Sequence, residues 1–133
     1  MSPLQTRARV IADPSHLETP ILIVDDVQDN IDLLRDLLSD VGYKSLHHVM
    51  SGDEALSLLQ QERDFGLILL DLMMPGLDGC ETCRRLKRQA ELAHIPVIMV
   101  TGGTGDRDEA LLRSFDAGVI DFISKPIQEV ELY

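Results

Sequence analysis

Cysteine is scarce: Cys80 and Cys83 are the only two in 133 residues. That is too few for a disulfide-stapled scaffold, and a chain of this length does not need one, so a reducing compartment is expected. No uninterrupted apolar run approaches the roughly 20 residues of a membrane-spanning helix. The first ten residues carry Arg7 and Arg9 but no apolar core of a secretory signal. A cytoplasmic location without a membrane partner follows as the expectation. Basic residues are also in short supply, 12 against 23 acidic, for a net charge of −11. A surplus of that sign repels phosphate backbones and argues against generic nucleic-acid binding by this segment. Internal repeats and low-complexity stretches are absent. Gly102, Gly103 and Gly105 lack the GKS or GKT ending of a nucleotide-binding P-loop.

What is present is a globular composition, 44% apolar and 26% charged, enough for one core. Residues 1–19 contain Pro3 and Pro14 and no periodicity, and read as a flexible arm. The ordered domain is expected over 20–133. Ile21-Leu22-Ile23-Val24 is a continuous apolar run, as in a strand buried on both faces. Ile31, Leu34, Leu37, Leu38 and Val41 recur at helical spacing before Gly42, predicting a helix over 28–41. A weaker strand over 44–50 follows. Ser51 and Glu54 then spell a capping box for a helix whose apolar face carries Ala55, Leu58 and Leu59. Strands are expected over 65–70, 95–100 and 119–124. A helix capped by Asp78 is expected over 79–91, another begins at Asp106, Asp108 and Glu109, and a last one starts at 127. Buried strands alternating with amphipathic helices predict an α/β fold, a parallel sheet covered on both faces.

The polar residues mark the site. Asp25 and Asp26, Asp71, Thr101 and Lys125 each come directly after an apolar strand. In a parallel α/β sheet all strand C-termini lie along one edge, where ligands bind. Carboxylates crowded together repel unless a cation or protons intervene, and an all-oxygen set suits a hard cation, Mg²⁺ by default. A lysine can neutralise an incoming anion and a threonine hydroxyl can donate to it. A carboxylate nucleophile, Mg²⁺, a hydroxyl and a lysine together suit phosphoryl transfer onto aspartate.

These residues resemble the receiver domain of two-component response regulators, the chemotaxis receivers among them. The likeness rests on the run 21–26, on Leu69-Leu-Asp-Leu-Met-Met-Pro-Gly-Leu-Asp-Gly79, on Thr101-Gly102 and on Lys125-Pro126, and covers about 20–133. It implies a flavodoxin-like, doubly wound five-stranded parallel sheet in the order 2-1-3-4-5. It further implies that Asp71 accepts a phosphoryl group from a histidine kinase or phosphotransfer protein, and that Asp25 and Asp26 hold Mg²⁺ with Asp71 and the backbone carbonyl of Met73. Thr101 and Lys125 would contact the phosphoryl group, and Phe122 would be an aromatic switch following Thr101. The domain would control a partner or an output domain and would not be an enzyme beyond its own phosphorylation and dephosphorylation. Two departures stand out. The stretch from Thr101 to Lys125 is somewhat longer than the commonest family spacing. The last helix of the family fold is truncated, with only 127–133 present, roughly 10 Å at 1.5 Å per residue. A longer natural chain is the favoured reading, and a second copy covering the flank as a homodimer is the other.

Competing readings are weaker. Cys80-Glu-Thr-Cys83 fits a redox C-x-x-C spelling, but Cys80, Cys83, Leu86 and Ala90 share one helical face and read as packing residues. Arg84, Arg85, Lys87 and Arg88 form a basic run that reads as a solvated helix face. An aspartyl-phosphate phosphohydrolase would usually carry a second carboxylate where Met73 stands. A non-phosphorylated interaction module of the same fold is the remaining alternative, opposed by the intact acidic set.

Overall fold

The computed structural model describes residues 17–101 and 116–124. Expectations on 1–16, on the helix after Thr101 and on Lys125 with the last helix lie outside these residues. The described elements are β1 (Ile21–Val24), α1 (Gln28–Val41), β2 (Leu46–Val49), α2 (Gly52–Gln61), β3 (Leu67–Asp71), α3 (Gly79–Lys87), β4 (Val97–Thr101) and β5 (Asp121–Ser124). The strands form one five-stranded sheet in the expected order β2-β1-β3-β4-β5. Every neighbouring pair is parallel.

The unbroken apolar runs are explained by two cores, one on each face. Leu22 and Val24 of β1 pack with Ile68, Leu70, Val97 and Met99 against Ala55 and Leu59 of α2 and Cys83 and Leu86 of α3. Ile21 and Ile23 pack with Leu67, Leu69, Ile98 and Val100 against Ile31, Leu34 and Leu38 of α1. Successive side chains of a strand point to opposite faces, so only a doubly covered strand needs every position apolar. The edge strand β2 carries exposed His47 and His48 and reads weakly for that reason.

Helix ends follow local chemistry. Gly42 adopts φ 119°, and its N–H reaches the carbonyls of Leu38 and Ser39, closing α1 in the left-handed conformation glycine tolerates. Ser51 Oγ accepts from Glu54 N at 3.1 Å, while the Glu54 carboxylate reaches one residue further back than a standard capping box, accepting from Met50 N at 3.4 Å. The helix expected over 79–91 ends at Lys87. Lys87 Nζ donates to the carbonyls of Ala93 and Ile95, at 3.0 and 2.5 Å, and folds the chain into turns. Ala90 is thereby exposed and Leu92 takes the buried place. Leu17 to Thr19 touch the domain: the Leu17 side chain lies 3.3 Å from where a Gly42 Cβ would be, and Leu17 O accepts from Lys44 N.

Candidate functional site

Three strand ends build the site. Val24, the last residue of β1, is in register with Leu70, so Asp25 emerges level with Asp71, the last residue of β3. The sheet ladder continues past both: Asp25 N donates to Val49 O at 3.2 Å, and Leu72 N to Val100 O at 3.1 Å. Both carboxylates are thus carried on backbone with little freedom to shift. Asp25 is 1% exposed and Asp71 3%, while Asp26 is half-buried. One carboxylate oxygen from each of Asp25, Asp26 and Asp71 lies within 4.8 Å of the others.

The surroundings orient these groups. Asp25 Oδ1 accepts from Val27 N at 2.9 Å and from Asn30 Nδ2 at 3.5 Å. Asp71 Oδ1 accepts from Met73 N at 3.4 Å. Two buried carboxylates and a half-buried one at this spacing form a set of hard oxygen donors of one charge, which fits a small divalent cation such as Mg²⁺. Met73 is 68% exposed, and Val27 and Met50, which also follow strands at this edge, are exposed too.

Of the residues singled out in the sequence, Asp25, Asp26 and Asp71 come together, and Met73 adjoins them through its backbone. Thr101 ends β4, one residue beyond Val100, the register partner of Asp71. Phe122 lies in β5 in register with Met99. Lys125, which follows β5, lies outside the described residues. Two contributors went unmarked in the sequence: Val27 and Asn30. Val27 had a signal, an aspartate two residues before its N–H at a helix start, the Asx-turn pattern, whereas the Asn30 side chain had none.

The alternative motifs resolve differently. Cys80 and Cys83 are buried and not disulfide-bonded. Cys83 Sγ donates to Ala117 O at 3.4 Å, and burial pushes its thiol up to about 11. A redox cysteine needs the opposite shift. In the basic run, Arg84 and Arg85 pair with Glu81 at 2.6 and 3.3 Å, and their hydrogen bonds hold that carboxyl below its ordinary value. Lys87 is spent on the turn carbonyls. Among the described residues, no helix is long and apolar enough to cross a membrane.

A family model described as the response regulator receiver domain matches residues 21–133. The response regulator PleD of Caulobacter vibrioides is 40% identical over 115 residues, 85% of this chain. The chain spans only 24% of that relative's length. The signal receiver domain of a signal transduction histidine kinase from Syntrophus aciditrophicus superimposes with a TM-score of 0.75 at 39% identity, covering 86% of this chain and 83% of that one. The receiver domain of a sensor histidine kinase from Pseudomonas aeruginosa PAO1, solved with magnesium coordinated in its active site cleft, gives a TM-score of 0.74 at 29% identity, covering 86% and 91%.

Proposed function

The chain belongs to the response regulator receiver domain family, and from that premise we propose that it takes a phosphoryl group onto Asp71 and changes conformation in response. The observation that carries the reading is the meeting of Asp25, Asp26 and Asp71 within 4.8 Å at the C-terminal sheet edge, with Asp71 on the end of a central strand. An Asp71 carboxylate oxygen attacks phosphorus in line. The bond from phosphorus to the donor's imidazole nitrogen breaks, and its electron pair leaves with the imidazole, which is reprotonated. Asp25, Asp26 and Asp71, with the Met73 carbonyl, would hold Mg²⁺, which would supply positive charge to offset that of the reacting groups. Val27 N–H and Asn30 hold Asp25 in place for that role. Lys125 pairs with a phosphoryl oxygen and the Thr101 hydroxyl donates to another. Phe122, on the neighbouring strand, repacks as Thr101 turns, a two-state shift read by a partner.

The donor is a histidine kinase or a phosphotransfer protein, and the receiver acts in the cytoplasm on an output domain or a separate partner. The reading is tested with a small phosphoryl donor or beryllofluoride, with and without Mg²⁺, on the wild type and Asp71→Asn, read by intact mass or fluorine NMR. The expected signal requires both Mg²⁺ and Asp71. Equal modification of Asp71→Asn would overturn the assignment.

A further inference from the structure

We propose that Gly79 is a positioning residue for the acidic cluster: the missing side chain lets the first turn of α3 seat directly on the backbone of Asp71, and this seat sets where the Asp71 carboxylate stands relative to Asp25 and Asp26. The inference rests on the phosphoacceptor reading of Asp71. A Cβ on Gly79 would collide with the carbonyl oxygen of Asp71 and lie 2.9 Å from Leu72 Cα and 3.0 Å from Met99 Sδ. Two of the three neighbours are backbone atoms, which cannot rotate away. Neither side of the contact is loose. The Asp71–Leu72 backbone is held by Leu72 N to Val100 O, and Gly79 N itself donates to Leu72 O at 3.0 Å. From below, α3 is fixed by buried Cys80, Cys83 and Leu86, and from its start by Asp78 Oδ1 accepting from Glu81 N at 2.9 Å.

The requirement is steric and not conformational. Gly79 is not among the positive-φ glycines, which are Gly42, Gly76 and Gly118. Alanine would suit the helical backbone, and intrinsic propensity alone favours it there. An added methyl therefore has one way to act, by prising α3 and the Asp71–Leu72 backbone apart. Asp71 is the last residue of β3, so whatever part of that movement the strand end takes up carries the carboxylate with it.

The test is Mg²⁺ affinity of the apo protein by calorimetry, for wild type, Gly79→Ala and Leu59→Ala. Leu59 is fully buried in the same core and its truncation costs stability without touching Asp71. Gly79→Ala is expected to weaken Mg²⁺ binding by about ten- to a hundredfold, the usual effect of disturbing a ligand's support. Leu59→Ala should stay within about twofold at a temperature where both are folded, since distant sites act independently. Equal affinity in Gly79→Ala and wild type overturns the inference, as does an equal loss in Leu59→Ala. If Gly79→Ala does not fold, the decision passes to Asp78→Ala, which removes the cap beside the seat at a cost of about 1 kcal/mol. Weakening of Mg²⁺ binding by Asp78→Ala beyond that of Leu59→Ala supports the seat, and unchanged affinity overturns it. Absent Mg²⁺ binding in the wild type would instead strike at the phosphoacceptor reading.

Discussion

Replacing Asp71 by asparagine removes one negative charge and little else. The amide oxygen can still accept from Met73 N, as Asp71 Oδ1 does at 3.4 Å. Two of the three carboxylate repulsions in the cluster disappear. At the 4.8 Å that bounds the oxygen set, one pair of unit charges costs about 3.5 kcal/mol at an effective dielectric near 20. Half-buried Asp26 is screened by solvent and lowers the net figure. A gain of about 1–3 kcal/mol for the metal-free variant is expected, a Tm rise of roughly 3–12 °C for a domain of this size. Bound cation offsets the same repulsion in the wild type, by about 1.4 kcal/mol at ten times its dissociation constant. Thermal unfolding in EDTA and then across a Mg²⁺ titration reads both effects. The wild type should climb with Mg²⁺ toward a variant that stays nearly flat. An Asp71→Asn protein less stable than wild type in EDTA, or one with an equal Mg²⁺ response, would refute the electrostatic account of the cluster.

Other sites give independent tests. Lys87→Met leaves the carbonyls of Ala93 and Ile95 without their charged donor and should cost about 2–4 kcal/mol in urea unfolding, with the loss concentrated in amide exchange of residues 88–96. Cys83 has a folded pKa raised from 9.0 to about 11, so the folded state holds the proton more tightly. Its stabilising share is complete below pH 9 and falls as the pH climbs toward 11, and unfolding free energies of wild type and Cys83→Ala should converge over that window. Ser51→Ala removes the cap that accepts Glu54 N and should cost about 1 kcal/mol, measured as a lower urea midpoint at unchanged slope.

Much of the fold was legible because the strands at the sheet centre are constrained on two faces. The run Ile21–Val24 admits few other structures, and its partner runs set the alternation that led to a parallel sheet, while the strand order came from the family resemblance. Legibility fell where one side chain overrode a pattern. The apolar spacing Cys80, Cys83, Leu86, Ala90 carries a helix beyond residue 87, yet Lys87 reaches forward to two carbonyls and closes it. That interaction spans a turn and has no periodic signature. Edge strand β2 was vague because solvent replaces a core on its outer side, so His47 and His48 satisfy no pattern.

The acidic set was readable for a different reason. Each carboxylate stands at an abrupt change from apolar to charged, and a parallel sheet turns that one-dimensional mark into a shared edge. Apart from the Asn30 side chain, what supports the carboxylates is written in backbone and leaves no such mark. Val27 contributes an N–H, and Gly79 contributes the lack of a side chain. A sequence displays the groups that react, whereas the depth at which they stand depends on how closely two backbones approach. At Gly79 that approach leaves no room for a methyl group, so the position of Asp71 is set by packing as much as by its place on β3.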